Sequence, residues 1–288
     1  MTRGELTTEL ATSLGLRHEA RFIVEEILGP SSRTGDVVGP DDLLTIRTLA
    51  ARRRAGEPLQ YVLGHWAFRT LDLLVDPRVL IPRPETEQVV EVARRELDRL
   101  GVEAPVIIDL GTGSGAIALA LATELADRLP PARLWATDTS TEALAVAGAN
   151  LERVRHHQEP RVLPVTFLHG SWLSPLPGVL RGAVDLLVAN PPYIAAEEWP
   201  DLPGDVRCEP YGALVAASGS EGTPGLADVE EVLSQAWAWL SRPGVVIIEL
   251  APHQAQAGVR LARSIGYTDV RVEQDLAQRE RVLVGGTR

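Results

Sequence analysis

The sequence predicts an α/β protein, a mostly parallel and doubly wound sheet preceded by a small helical region. Three observations predict it. From Val106 onward, short apolar runs alternate with helix-forming stretches. The first run, Val106-Ile107-Ile108-Asp109-Leu110, opens straight into a glycine turn and then a helix. A later run, Val184-Asp185-Leu186-Leu187-Val188-Ala189, stops on Asn190-Pro191-Pro192-Tyr193. Near-continuous valine and leucine, with little alternation, is what a strand covered on both faces requires.

Bulk properties narrow the function. The 288 residues, 45% hydrophobic and 23% charged, suit one large domain and a smaller one. Cys208 is the one cysteine, which excludes an internal disulfide and fits a reducing, cytoplasmic setting. Met1-Thr2-Arg3-Gly4-Glu5 lacks the basic-then-apolar order of a signal peptide, and no apolar run reaches membrane-spanning length. A net charge of −11 speaks against binding duplex nucleic acid by phosphate neutralisation. All 28 basic residues are arginine. That excludes a P-loop lysine, a Schiff-base lysine and a lysine general base.

Residues Leu6 to Ala55 read as helices near Glu5–Leu14, His18–Leu28 and Asp41–Ala55, punctuated by Gly29-Pro30 and Gly39-Pro40. Arg52-Arg53-Arg54 suits a helix end, with a partner-docking patch as the alternative reading. From Leu59 to Pro82 the texture turns strand-like, Gln60–Leu63 and Leu71–Val75 around Gly64, and a hairpin linking two domains is expected. Ile81-Pro82-Arg83-Pro84-Glu85-Thr86-Glu87 then starts a helix, with proline in its first turn and acids after it. Expected boundaries are 1–57 for the helical domain, 58–83 for the hairpin linker and 84–288 for the catalytic domain.

In the catalytic region, strands are expected at Val106–Leu110, Leu134–Asp138, Val165–His169, Val184–Asn190, Val245–Leu250, Asp269–Glu273 and Arg281–Val284. Helices are expected at Ala116–Leu129, Thr141–Val154, Leu226–Leu240 and His253–Ser264, with a long loop from Pro191 to about Gly225. The last two strands have no long helix between them, which implies an antiparallel closing strand.

Two constellations carry chemistry. Gly111-Thr112-Gly113-Ser114-Gly115 joins a strand to a helix, where bare backbone N–H groups can meet a ligand. Asp138 ends the next strand, where a carboxylate can take both hydroxyls of a ribose. Together they point to an adenosine ligand. The other constellation is Asn190-Pro191-Pro192-Tyr193. Two prolines in succession end a strand and project its tip outward. The Asn190 side-chain carbonyl and the Pro191 backbone carbonyl are two acceptors that match the two donors of a planar –NH2 group. The Tyr193 ring can pack on its π-system.

The glycine spacing alone allows NAD, since a third fingerprint glycine would fall on Ala116, an accepted variant. Hydride transfer has no use for Asn190-Pro191-Pro192-Tyr193, whereas S-adenosyl-L-methionine needs a nucleophile held in line with its methyl group. The stretches Asp109–Ala118, Asn190–Tyr193, Ile81–Glu87, Glu57–Gly64 and Gly204–Pro210 together resemble the glutamine N5-methyltransferases of peptide-chain release factors, the HemK family. The likeness spans nearly the whole chain, departing at Ser171 and Cys208.

That resemblance implies a seven-stranded, Rossmann-like class I S-adenosylmethionine-dependent methyltransferase sheet with the helical domain and hairpin already noted. It implies that Asp109 and Gly111, Thr112, Gly113, Ser114 and Gly115 surround the cofactor, with Asp138 on its ribose and Trp172 against its adenine. Asn190, Pro191, Pro192 and Tyr193 would hold the substrate and direct the reaction, and Asn190 would also approach the cofactor. The implied substrate is the Gly-Gly-Gln glutamine of class I release factors. The product is S-adenosyl-L-homocysteine, and the protein is expected to be a monomer needing no metal, membrane or nucleic acid. The six histidines, with His156-His157 expected in a polar loop, lack metal-ligand spacing. A ribosomal-protein glutamine is the nearest alternative substrate; an adenine or guanine amino group in nucleic acid is a further one.

Overall fold

Leu6, Leu10, Ala20, Ile23, Val24, Ile46 and Ala50 recur at helical spacing along the first fifty-odd residues, and they meet in one apolar cluster. They do so in a computed structural model that describes residues 1–157, 161–220 and 222–287. Their helices are α1 (Arg3–Leu14), α2 (Arg17–Leu28) and α3 (Pro40–Arg54). Helix α1 starts at a reciprocal cap: Thr2 Oγ1 accepts from Glu5 N–H, and the Glu5 carboxylate accepts from Thr2 N–H. At the end of α3, Arg52 bonds Glu57 and the Tyr61 and Val62 carbonyls, while Arg53 bonds Glu19 at 2.7 and 3.0 Å. Both side chains thus bond carboxylates and carbonyls outside α3 within this first unit.

The expected strand at Gln60–Leu63 is a helical turn, α4 (Leu59–Leu63). Pro58 precedes it, and Gly64 closes it in a left-handed conformation, φ 83°. The hairpin comes one step later, β1 (His65–Phe68) and β2 (Leu71–Leu74). The chain divides into two compact units, Met1–Trp66 with Pro203–Cys208 and Ala67–Leu202 with Glu209–Arg288.

The second unit contains α5 (Glu87–Leu100), β3 (Val106–Leu110), α6 (Ala116–Glu124), β4 (Arg133–Asp138), α7 (Thr141–His157), β5 (Val165–His169) and β6 (Val184–Ala189). After them come β7 (Ile194–Ala195), α8 (Tyr211–Leu214), β8 (Val215–Ala216), α9 (Ala227–Ala236), β9 (Leu240–Glu249), α10 (Ala255–Ile265), β10 (Asp269–Gln274) and β11 (Glu280–Gly286). Seven strands form one sheet in the order β10-β11-β9-β6-β3-β4-β5. All neighbours are parallel except β11, antiparallel to both β9 and β10.

Successive strand residues feed opposite cores. Ile107, Leu134, Leu186, Val188 and Ile247 join α5 and α6 on one face. Ile108, Leu110, Leu187, Ala189 and Ile248 join α9 and α10 on the other. Both faces are covered, which is why the strands read as unbroken apolar runs. Helix α6 is buried all round from Ala116 to Ala122, and its small alanines let it lie close to the sheet.

Three expectations shift. The loop after Pro191 holds β7 and β8, a two-residue parallel pair, and the short helix α8. Helix α9 stops at Ala236, because Leu240 already starts β9. His156 and His157 close α7 instead of lying in a loop. Among the described residues, no helix is long and apolar enough to cross a membrane.

Candidate active site

The strand order reverses between β3 and β6, and ligands of open α/β sheets sit outside the carboxyl ends at such a switch point. Leu110 at the end of β3 pairs in register with Ala189 at the end of β6. The glycine turn and Asn190 therefore leave the sheet side by side.

The turn is built to hold its shape. Gly111, Gly113 and Gly115 have φ of 67°, 55° and 85°, a region in which any other residue is strained. A Cβ on Gly115 would come within 3.1 Å of Leu119 and 3.3 Å of Ala147, so glycine also permits close helix packing there. Thr112 N–H donates to the Thr137 carbonyl at 3.0 Å, and Gly113 N–H donates to Asp138 Oδ2 at 2.8 Å. From below, Asn150 Nδ2 donates to the Ser114 carbonyl at 2.9 Å and to that of Leu74 at 3.0 Å. One fully buried carboxamide thus ties the turn to β2.

Asp109 lies behind the turn. It is 1% exposed; Oδ2 accepts from Thr112 Oγ1 at 2.7 Å and Ala118 N–H at 3.1 Å, while Oδ1 has no partner among the described residues. Burial pushes its carboxyl up to about 7 against the pull of those two donors, with the Asp138 charge adding to the rise.

A cavity of about 460 Å³ opens over these strand ends. That lies within the roughly 300–1,000 Å³ of small-molecule sites. Gly111, Gly113, Asp138, Ser171, Trp172, Asn190 and Pro192 line it, together with Arg78–Leu80, Pro210, Gly212, Ala213 and the acids Asp228 and Glu231. Asp109, Thr112 and Ser114 are buried under it, and Pro191 is buried beside it. Asp138 receives Gly113 N–H and Ser140 N–H at 2.8 and 2.9 Å, which leaves carboxylate lone pairs for two hydroxyls. Trp172 stands at φ 45°, its carbonyl held by Thr137 Oγ1 at 2.9 Å, and its ring would lie 3.5 Å from a Cβ on Gly111. Three lining carboxylates face one arginine, Arg78, already paired with Asp76 at 2.6 Å, so the cavity favours a cation.

Several residues that sequence reasoning passed over shape the strand tip. Asn190 Nδ2 donates to Thr86 Oγ1 at 3.2 Å. Tyr193 O–H donates to Glu249 Oε1 at 3.5 Å, and burial pushes the phenol above its ordinary range. The Tyr193 carbonyl accepts from Gln254 Nε2 at 2.9 Å, and Gln254 also reaches the Pro224 carbonyl at 2.8 Å. Glu209 accepts from Ile81 N–H at 2.9 Å and pairs with Arg83, which anchors the Ile81–Glu87 segment. Glu249 did carry a signal: a carboxylate inside the apolar run Val245–Leu250 cannot be ordinary core. Thr86 and Glu209 lie in the stretches Ile81–Glu87 and Gly204–Pro210, which gave them no role of their own, and Gln254 is a single polar residue without any pattern. Among the described residues, no group of three or more His, Cys, Asp or Glu side chains could hold a metal ion.

The Methyltransferase small domain family matches residues 93–201. A release factor glutamine methyltransferase of Bordetella pertussis is 40% identical over 97% of this chain and 98% of its own. Its namesake from Vibrio cholerae is 42% identical over 85% of this chain and 81% of its own. Among solved structures, the T. thermophilus 16S rRNA N2 G1207 methyltransferase in complex with AdoMet and guanosine superposes with a TM-score of 0.54. It is 18% identical and covers 78% of this chain and 50% of its own, a likeness of fold.

Proposed function

This chain belongs to the release factor glutamine methyltransferase family, and from that premise we propose that it methylates N5 of the glutamine in the Gly-Gly-Gln motif of class I release factors. One observation carries the reading: Asn190 and the Gly111–Gly115 turn, with Asp138, border a single cavity. When bound, S-adenosyl-L-methionine supplies an electrophilic methyl group and leaves as S-adenosyl-L-homocysteine.

The cavity's residues fit that cofactor. Gly111 and Gly113 let it approach backbone, Asp138 keeps acceptor capacity for its ribose, and Trp172 offers an aromatic wall to its adenine. Asp228 and Glu231 complement its positive charge. Asp109, Thr112, Ser114 and Gly115 act from behind by holding the turn in shape.

An amide nitrogen is a poor nucleophile because its lone pair is delocalised into the carbonyl. Asn190 Oδ1 and the Pro191 carbonyl accept its two N–H bonds, fix its orientation and favour the charge it gains on attack. Alignment of this kind supplies on the order of several kcal/mol of a barrier, and prepositioned acceptors roughly another 3. Pro192 and Tyr193 complete the slot around the glutamine side chain. The alkylated amide then sheds its proton readily, so neither a strong base nor a metal is needed. In the same reading the helical domain, residues 1–57, and the linker, 58–83, help to hold the protein substrate, and the enzyme works as a cytoplasmic monomer.

Mass spectrometry of a purified release factor, incubated with this protein and S-adenosyl-L-methionine, tests the proposal. One methyl on the Gly-Gly-Gln glutamine is the expected result. Labelled methyl appearing instead in a ribosomal protein, DNA or ribosomal RNA would overturn it.

A further inference from the structure

Tyr211 is 52% exposed, the most exposed aromatic ring among the described residues. Exposure by itself is ordinary for a single side chain. What sets this one apart is where it stands and how firmly. Pro210, Gly212 and Ala213, its neighbours in the chain, line the cavity that holds Asn190 and Pro192, so Tyr211 stands at the mouth.

Its mount is fixed from three directions. Before it, the buried Glu209 carboxylate accepts from Ile81 N–H at 2.9 Å and pairs with Arg83. After it, Ala213 N–H donates to the Pro210 carbonyl at 3.0 Å, Leu214 is buried, and Val215 and Ala216 form β8. Beside it, the Trp199 ring meets the Tyr211 ring edge to face, with centroids 4.8 Å apart and planes at 70°. Trp199 rides on the turn Ala196–Asp201, where the Glu198 carboxylate accepts from Ala195 N–H at 3.0 Å. Edge-to-face packing is a favoured aromatic geometry, and it leaves at least one face of the Tyr211 ring uncovered by its partner.

The β7–β8 pair also ties this ring to the reactive tip. Ile194, the residue after Tyr193, pairs with Val215. Paired strands lie about 4.8 Å apart and the helical turn from Tyr211 to Val215 rises roughly 6 Å, which keeps the Tyr211 backbone within about 11 Å of Ile194. Two extended residues reach about 7 Å. A chain whose glutamine enters at Asn190 therefore brings the adjoining backbone to Tyr211.

We propose that Tyr211, buttressed by Trp199, is a specificity-determining residue, a platform for the glycine backbone that precedes the target glutamine. The inference rests on the release factor reading above and names the residue that selects glycine there. A flat ring takes bare backbone in close contact, amide against π-face, where a Cβ would hold it off. Tyrosine offers large contact area for the fixing of two torsions, and such rings carry much of the binding at protein interfaces.

The experiment measures kcat and KM of wild type, Tyr211→Ala and Tyr211→Phe on a release factor, and on release factors with either loop glycine replaced by alanine. Tyr211→Ala should raise KM about tenfold with little change in kcat, the signature of lost ground-state binding. The calorimetric Kd for S-adenosyl-L-methionine should stay unchanged, and Tyr211→Phe, which keeps the ring, should restore KM. For at least one loop glycine, the loss of kcat/KM on replacement should be about tenfold in wild type and roughly threefold or less in Tyr211→Ala. A wild-type KM in Tyr211→Ala, no rescue by phenylalanine, a cofactor Kd that weakens in step with KM, or equal alanine losses in both enzymes would each overturn the proposal. The two readings fail separately. Wild type that leaves the release factor unmethylated overturns the function and the platform with it, whereas wild type that methylates it with a KM shared by Tyr211→Ala overturns the platform alone.

Discussion

Replacing Asn190 with alanine tests the reaction chemistry most directly. Asn190 borders the cavity, is half-buried, and reaches Thr86 on its outer side. Truncation removes one of two prepositioned acceptors. Loss of one such group from a preorganised site costs about 10²–10³ in kcat, equivalent to roughly 3–4 kcal/mol. The same change leaves Thr86 without the donor at 3.2 Å, a penalty of about 1 kcal/mol in stability. The remaining cavity wall is anchored independently: Gly113 and Ser140 hold Asp138, and Thr137 holds the Trp172 carbonyl. Cofactor affinity should accordingly change by less than tenfold. The assay pairs single-turnover methylation of a release factor with calorimetry of S-adenosyl-L-methionine binding. A mutant that turns over like wild type refutes the acceptor role. One that loses cofactor binding along with turnover shows that the side chain acts through the cofactor instead.

Asp138→Ala should raise the cofactor Kd about 10²–10⁴-fold, since it removes two charge-assisted bonds of roughly 1.5–3 kcal/mol each and frees Gly113 N–H; an unchanged calorimetric Kd would exclude the ribose role. Burial lifts Asp109 from its ordinary 3.8 to about 7, so the folded chain binds that proton more tightly than the unfolded chain does. Its stabilising contribution is complete below the unfolded value and is lost as pH climbs to the folded one, and Glu249 acts with the same sign. The melting temperature should therefore fall from about pH 5 to pH 7.5, at up to ~1.4 kcal/mol per pH unit for each group, and Asp109→Asn should flatten the slope. A melting temperature that rises over that range contradicts the assignment. Gly225 stands at φ 67°, and a Cβ there would sit 2.2 Å from the Tyr193 carbonyl oxygen. Gly225→Ala should displace that carbonyl from Gln254, at a cost of about 1–3 kcal/mol in stability and a drop in kcat; full stability and activity would show that the loop gives way.

Much of this was legible in the sequence for physical reasons. Val106–Leu110 and Val184–Ala189 read as strands because burial on both faces leaves no polar alternation to confuse the pattern. The turn from Gly111 to Gly115 was readable because left-handed backbone favours glycine, and three such positions fall within five residues. Gln60–Leu63 misled because four mixed residues fit a helical turn as well as a strand; the Pro58 and Gly64 boundaries decided it. The β7–β8 pair, two residues per strand, is too short to show any period. Thr86, Asn150 and Gln254 act through hydrogen bonds made across long stretches of chain, which no local spacing records.

The rung shared by Leu110 and Ala189 has a wider consequence. Neighbouring strands stand about 4.8 Å apart whatever side chains they carry. The separation between the Gly111–Gly115 turn and Asn190 is thus measured out by main-chain pairing, a ruler that point mutations on the surface do not stretch. Under the proposed reaction, substitutions on the outer faces can alter which substrate docks while the distance across which the methyl passes is kept by the sheet.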